Sequence, residues 1–375
     1  MRRLPLLALL VILAPPSLAA KRVTVEQLRQ ILTEQQAAHK ADSDIAQQVG
    51  SVELTERLTG TALEALVAQS NPGAKTMLAL DLLGDASSFL ELPASELPTK
   101  APPDVATQQA MMNAAVNFVA VTLKHLPDFL ATRVTRSFDD KSLAVTHSGW
   151  SPQSDLHLAG TFSSEITYRE GREILDNAPP GAKPKQIPSP AGLTSKGEFG
   201  PILSTILIDA QKGKIAWSHW EQTPAGLAAV FHYQVPKEAS HYAVNFCCVR
   251  NSEDPRTYQP GSENTNSYHG TPAYHGTLSL DPASGAILRV TLESELKSSD
   301  PITRAEISVQ YGSVEIGGKS YLCPIRSIAI SLAQTHGGGD MSDRSILRIN
   351  EASFTEYHRF GSTTRILPGA PRAER

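Results

Sequence analysis

The chain has 375 residues, with 34 Lys and Arg against 38 Asp and Glu, 26 Pro, 25 Gly and 3 Cys. At roughly 150 residues per domain the length suggests about two domains, and the composition excludes a collagen-like repeat, a disulfide-stapled miniprotein and a wholly disordered chain. The charge is mildly negative and no Lys/Arg run is long enough to meet several phosphates at once, which argues against nucleic-acid binding.

At the start, Arg2 and Arg3 precede an apolar run from Leu6 to Ala14. Ser17-Leu18-Ala19 follows, small at the two positions a signal peptidase inspects. Residues 1–19 therefore read as a cleaved secretory signal. The run is far shorter than the roughly 20 residues that span a bilayer, and Pro15 and Pro16 break it. No later segment is apolar enough to span, so the mature chain is expected to be periplasmic or secreted and without a transmembrane segment.

Over residues 20–91 apolar side chains recur at helical spacing. The sets are Val25, Leu28, Ile31 and Leu32; then Leu54, Leu58, Ala62 and Leu66; then Met77, Leu80, Leu83 and Phe89. The pattern predicts several short helices and no strand. Thr24 with Gln27 three residues on has capping-box form, and Asn71-Pro72-Gly73 stops one helix and starts the next. Residues 92–103, with Pro93, Pro98, Pro102 and Pro103, read as an extended linker.

The remaining domain spans 104–367. Asp104 can cap a helix with the stripe Met112, Val116, Val119, Leu123 and Leu126, which Pro127 ends. From Phe129 the period changes to two. Ala229, Phe231, Tyr233 and Val235 alternate with Val230, His232 and Gln234, and Ala305, Ile307 and Val309 alternate with Glu306, Ser308 and Gln310. Such runs predict antiparallel strands with one apolar face. Gly317-Gly318 is a two-residue hairpin signal, Asp281 to Gly285 a longer turn, and Gly337-Gly338-Gly339 a third connection before strands at Ser345–Ile349 and Phe354–Phe360. Residues 177–196 carry five prolines and read as a surface loop or disordered insertion. Pro201 opens a predicted helix to Ala210, with a strand as the rival reading. Residues 368–375 read as a disordered tail. The predicted fold class is α+β: an N-terminal helical segment, then a curved antiparallel half-barrel packed on one or two helices.

Several chemistries are missing. The chain has no G-x-S-x-G nucleophile elbow and no H-E-x-x-H zinc motif. Ser294-Glu295-Leu296-Lys297 has S-x-x-K letters but sits on strand-type alternation, which points its serine and lysine to opposite faces. Gly317-Gly318-Lys319-Ser320 resembles the end of a phosphate loop, but Ser313 stands where that loop needs a glycine. His269 and His275 recur in Tyr-His-Gly contexts without carboxylates at ligand spacing, so they read as polar loop residues. No metal or cofactor is expected. In an oxidising compartment a disulfide can join Cys247 or Cys248 to Cys323, with Cys248–Cys323 preferred and three buried thiols as the alternative.

The most unusual composition is Trp217-Ser218-His219-Trp220-Glu221. On a regular strand Trp217, His219 and Glu221 share one face, a histidine beside a carboxylate with an aromatic wall, unless Trp217 merely packs and the polar pair is solvated. With His232 they form the candidate ligand-binding set.

Five phrases, Glu53-Leu54-Thr55-Glu56-Arg57-Leu58, Leu126-Pro127-Asp128-Phe129, Trp217 to Glu221, Tyr321-Leu322-Cys323-Pro324-Ile325-Arg326-Ser327 and Phe354 to Phe360, together resemble a family of exported acidobacterial proteins over nearly the whole mature chain. That resemblance implies a shared fold and assigns no chemistry. The element order from Asp104 to Leu367 also resembles the half-barrel of periplasmic lipoprotein carriers and envelope sensors, which implies a concavity able to hold acyl chains or peptide. A sheet with one apolar face must cover that face with helices or ligand. The leading expectation is a non-enzymatic cell-envelope binding module for a hydrophobic or lipid-like ligand. The alternatives are an interaction or sensing module that docks an envelope protein through its N-terminal helices, and a hydrolase using His219 and Glu221.

Overall fold

The computed structural model describes residues 21–140, 156–174, 190–250, 265–335 and 344–359. The expected export signal, the Gly337-Gly338-Gly339 turn, the tail at 368–375 and residues 177–189 of the Pro-rich segment lie outside the described residues.

The N-terminal region contains β1 (Lys21–Val23), α1 (Val25–Ala37), α2 (Asp42–Gly50), β2 (Val52–Leu54), α3 (Gly60–Ser70) and α4 (Ala74–Ala86). The capping box forms as read: Thr24 Oγ1 accepts from the Gln27 N–H at 3.2 Å, and Gln27 Oε1 accepts from the Thr24 N–H at 2.9 Å. Asn71 ends α3 in the left-handed region at φ 39°. The expectation of no strand here is corrected, since β1 and β2 pair in parallel and bury Val23, Val52 and Leu54. Three-residue strands are too short to show a period of two.

After the linker come α5 (Val105–His125), β3 (Phe129–Asp139), β4 (His157–Arg169), β5 (Arg172–Ile174), β6 (Gly192–Leu193) and α6 (Pro201–Ala210). They are followed by β7 (Lys214–Thr223), β8 (Gly226–Val235), β9 (Val244–Arg250), β10 (Thr265–Gly270), β11 (Ala273–Leu280), β12 (Ile287–Glu295), β13 (Ile302–Ile316), β14 (Lys319–Thr335) and β15 (Arg344–Arg359). Asp104 caps α5 by accepting from the Thr107 N–H at 2.7 Å. Both helices stand where the sequence placed them. The two strands expected after residue 344 are one strand, β15, irregular near Glu356, whose φ is 53°.

The protein has the α+β class expected. Ten strands form one sheet in the order β5-β4-β3-β15-β14-β13-β12-β11-β8-β7, antiparallel at every step. The sheet is an open, curved half-barrel with β5 and β7 at its edges, and β10-β9-β6 form a small separate sheet. At the β13–β14 turn Gly317 and Gly318 have φ of 61° and 78°. Only glycine takes both positions cheaply, and that fixes the hairpin register.

The inner face carries Phe231, Tyr233, Leu278, Val290 and Ile307, buried in one cluster with Ala115 and Val119 of α5 and Ile206 and Leu207 of α6. Toward β3 this face becomes polar and residues 190–199 cover it. Asn350 Nδ2 donates to the carbonyls of Ala191 at 2.9 Å and Leu193 at 2.7 Å. Arg133 donates to the Ser195 carbonyl at 3.0 Å and pairs with Glu198 at 3.3 Å. Phe199 wedges among Phe129, Tyr168 and Phe354. The described end of the expected surface loop is thus a buried strap, since strand side chains satisfy the backbone groups that would otherwise need water.

The outer face is not uniformly polar, which corrects the expectation of one apolar face. Phe138 of β3, Ile328 and Ile330 of β14 and Ile349 of β15 form an apolar stripe buried against Leu82 of α4. Burying each such side chain is worth roughly 2 kcal/mol relative to exposure. The N-terminal helices therefore dock on the chain's own sheet.

Candidate functional site

The sequence-predicted set does not assemble as read, because β7 carries a bulge. Trp217 pairs with Phe231 and His219 with Val230, so Ser218 is the extra residue. An extra residue reverses the alternation beyond it. Trp217 and Trp220 now share the inner face with ring centroids 4.9 Å apart, while His219 and Glu221 face outward. Trp220 is anchored structurally: its indole N–H donates to the Ala101 carbonyl at 2.9 Å and the Lys100 ammonium sits 3.9 Å above its ring.

On the outer face Glu221 is tied to Arg57 at 2.7 Å. Burial lowers the His219 pKa, with Glu221 offsetting part of the effect. His232 is exposed, its ring 6.0 Å from that of His275, and its pKa is lowered by burial and then by the charge of His275. Trp217 therefore stands on the opposite face from His219 and Glu221, and a histidine–carboxylate pair beside that tryptophan is not formed. Trp217 instead lines an open groove of about 440 Å³ with Met112, Leu207, Ile215 and Phe231, between α5 and the β7 edge.

The expected Cys248–Cys323 bridge is corrected as well. Cys323 is a free, buried thiol whose pKa burial pushes up to about 12. On β14 the Cys323 side chain joins the apolar cluster of Phe129 and Phe354. His275 lies 3.8 Å from Glu293 and 3.6 Å from Glu295, carboxylates brought by the neighbouring strand rather than by sequence proximity. Among the described residues no group of three or more His, Cys, Asp or Glu is arranged to hold a metal ion.

Further space lies under the helices on both faces of the sheet. Beneath α5 and α6 the inner face leaves about 20 Å³, near Phe118, Leu203 and Tyr311. Between the N-terminal helices and the outer face lies a cavity of about 450 Å³, walled by Val49, Leu78, Leu82, Leu83, Leu90, Leu156 and Leu347. Lys75, Glu53 and Arg304 supply polar groups at the same cavity. A volume of this order, mostly apolar with a few convergent polar groups, suits a small ligand.

On the opposite flank of α4 is a charged cavity of about 350 Å³, to which Arg57, Arg136, Arg289 and Arg326 contribute. Sequence reasoning missed both cavities. Their residues come from segments nearly 300 positions apart, and the only local signal was arginine and isoleucine occupying the same strand phase at Arg326-Ser327-Ile328.

Among the described residues no helix is long and apolar enough to cross a membrane. No protein-family model, curated protein or solved structure matches the chain.

Proposed function

We propose that the protein is a non-enzymatic binding module of the cell envelope that holds a hydrophobic or lipid-like ligand between α4 and the outer face of its half-barrel. The observation that carries this reading is the leucine-walled cavity of about 450 Å³ between α4 and the outer face. The inner face keeps about 20 Å³ under α5 and α6, and its larger space is an open groove at the β7 edge. Leaving leucine walls in contact with water is unfavourable, and a ligand with a flexible apolar body removes that contact. The envelope location rests on the signal-like residues 1–19 and on the resemblance to exported proteins and periplasmic lipoprotein carriers.

Filling the cavity tests the reading. Ala79 of α4 lines it, and Ala79→Trp places an indole in the space while the helix stays intact. A fluorescent long-chain fatty acid titrated into delipidated protein is expected to bind the wild type saturably and A79W at least about tenfold more weakly, an effect worth some 1.4 kcal/mol. Equal binding to both proteins, or none to the wild type, overturns the assignment.

A further inference from the structure

We infer that the charged cavity on the other flank of α4 is an oxyanion site, built to take a carboxylate or phosphate group. Most of its acids are already engaged. Glu351 lies between Arg136 Nε at 2.6 Å and Arg326 Nε at 3.0 Å, Asp85 takes Arg326 Nη2 at 2.6 Å, and Glu221 takes Arg57 at 2.7 Å. Asp81, the fourth acid, is partly buried, and its pKa is raised by that burial.

Arg289 is the exception. Its guanidinium donates to the Ser88 carbonyl and, at 3.2 Å, to Ser308 Oγ, yet among the described residues no carboxylate lies within ion-pairing distance. Burial and the like charge of Arg57 pull its pKa down to about 9, the mark of a cation with insufficient compensation. A buried charge without a counter-ion is costly, and an anion in the cavity would supply one. Guanidinium groups match carboxylate and phosphate oxygens in a two-pronged geometry that other cations lack.

A second feature points the same way. Thr59 and Gly60, the start of the eleven-residue helix α3, line the same cavity. Thr59 Oγ1 already accepts from the Ala62 N–H at 3.1 Å, and what the helix start adds is its partial positive charge, which favours an anion there. This site is independent of the apolar cavity across α4, so either assignment can fail alone.

Gly60 offers a clean probe, because no atom lies within 4 Å of where its Cβ would sit. Gly60→Asp installs a carboxylate in the first turn, where it suits the helix and competes with a bound anion. Gly60→Ala adds bulk without charge. Calorimetric titration of the full chain with inorganic phosphate and with acetate, against chloride at matched ionic strength, is expected to show saturable binding of at least one oxyanion to wild type and G60A. The preferred anion separates phosphate from carboxylate chemistry. G60D is expected to bind at least about tenfold more weakly, the loss of one charge-assisted contact, while A79W binds as the wild type does. No oxyanion binding above the chloride control, or unchanged binding in G60D, overturns the inference.

Discussion

The two faces of the sheet are covered by different means. Inside, α5, α6 and the strap at 190–199 follow the chain's own strands closely and leave about 20 Å³ beneath them, with an open groove only at the β7 edge. Outside, the helical first quarter of the chain meets the sheet through an apolar stripe at Leu82 and the ion pairs Arg57–Glu221 and Asp85–Arg326, with about 450 Å³ on one flank of α4 and about 350 Å³ on the other. Close packing confers stability and excludes ligands, whereas docking along a stripe and a few ion pairs leaves room for them. The inner face holds the larger core, and the outer interface holds the two cavities that flank α4.

Truncating one side chain on each face tests that contrast most severely. Leu278→Ala removes a side chain that is 0% exposed in the inner cluster, where neighbours have little freedom to collapse, and is expected to cost about 3–5 kcal/mol of unfolding free energy. Leu82→Ala borders an existing cavity and is expected to cost about 2 kcal/mol, at the low end for a buried leucine. Urea unfolding of both variants measures the difference. A larger loss for Leu82→Ala would reverse the assignment of core and interface.

A smaller effect comes from two acids, one near the strap and one on α4. Burial, reinforced by the Glu198 charge, raises Glu173 to about 7, and burial raises Asp85 to about 7 despite Arg326. A carboxyl whose folded pKa lies above its unfolded value holds its proton more tightly in the folded state. Its stabilising contribution is complete below the unfolded pKa and is lost as pH rises toward the folded one. Both groups therefore predict that unfolding free energy falls between about pH 4 and pH 7 and levels off above it. Glu173→Gln and Asp85→Asn should each flatten that slope, by an amount on the order of 1 kcal/mol. If neither changes it, the acids are not held as the two interfaces imply.

The smallest effect belongs to a turn remote from both interfaces. Gly318 has φ 78° with open space around its missing Cβ, so Gly318→Ala should cost about 1 kcal/mol from backbone strain alone and leave oxyanion and fatty-acid binding unchanged. Thermal unfolding together with the two titrations checks this.

Much of the sheet was legible because its inner strands alternate cleanly and its tight turn is Gly317-Gly318. The helix α5 announced itself through Asp104 and its apolar spacing, and α6 through Pro201. Three things were not legible, each for a physical reason. The bulge at Ser218 has no sequence mark, so Trp217 was placed with His219 instead of with Trp220. The outer stripe reverses phase on β14, where Ile328 and Ile330 face outward and Ser327 and Ser331 inward, a pattern that makes sense only once distant helices supply the cover. The arginine cavity draws Arg57, Arg136, Arg289 and Arg326 from four separate segments, so no local motif could reveal it.

The pairing of β3 with β15 joins residues more than 200 positions apart, and α4 rests on side chains at 328, 330 and 349. A polypeptide emerging one residue at a time meets these partners late. The greasy stripe of α4 has no native mate until β14 and β15 have both been delivered, so the helices made first are among the last to find their seat. Assembly of this protein should accordingly be slow, governed by long loop closures rather than by local helix formation.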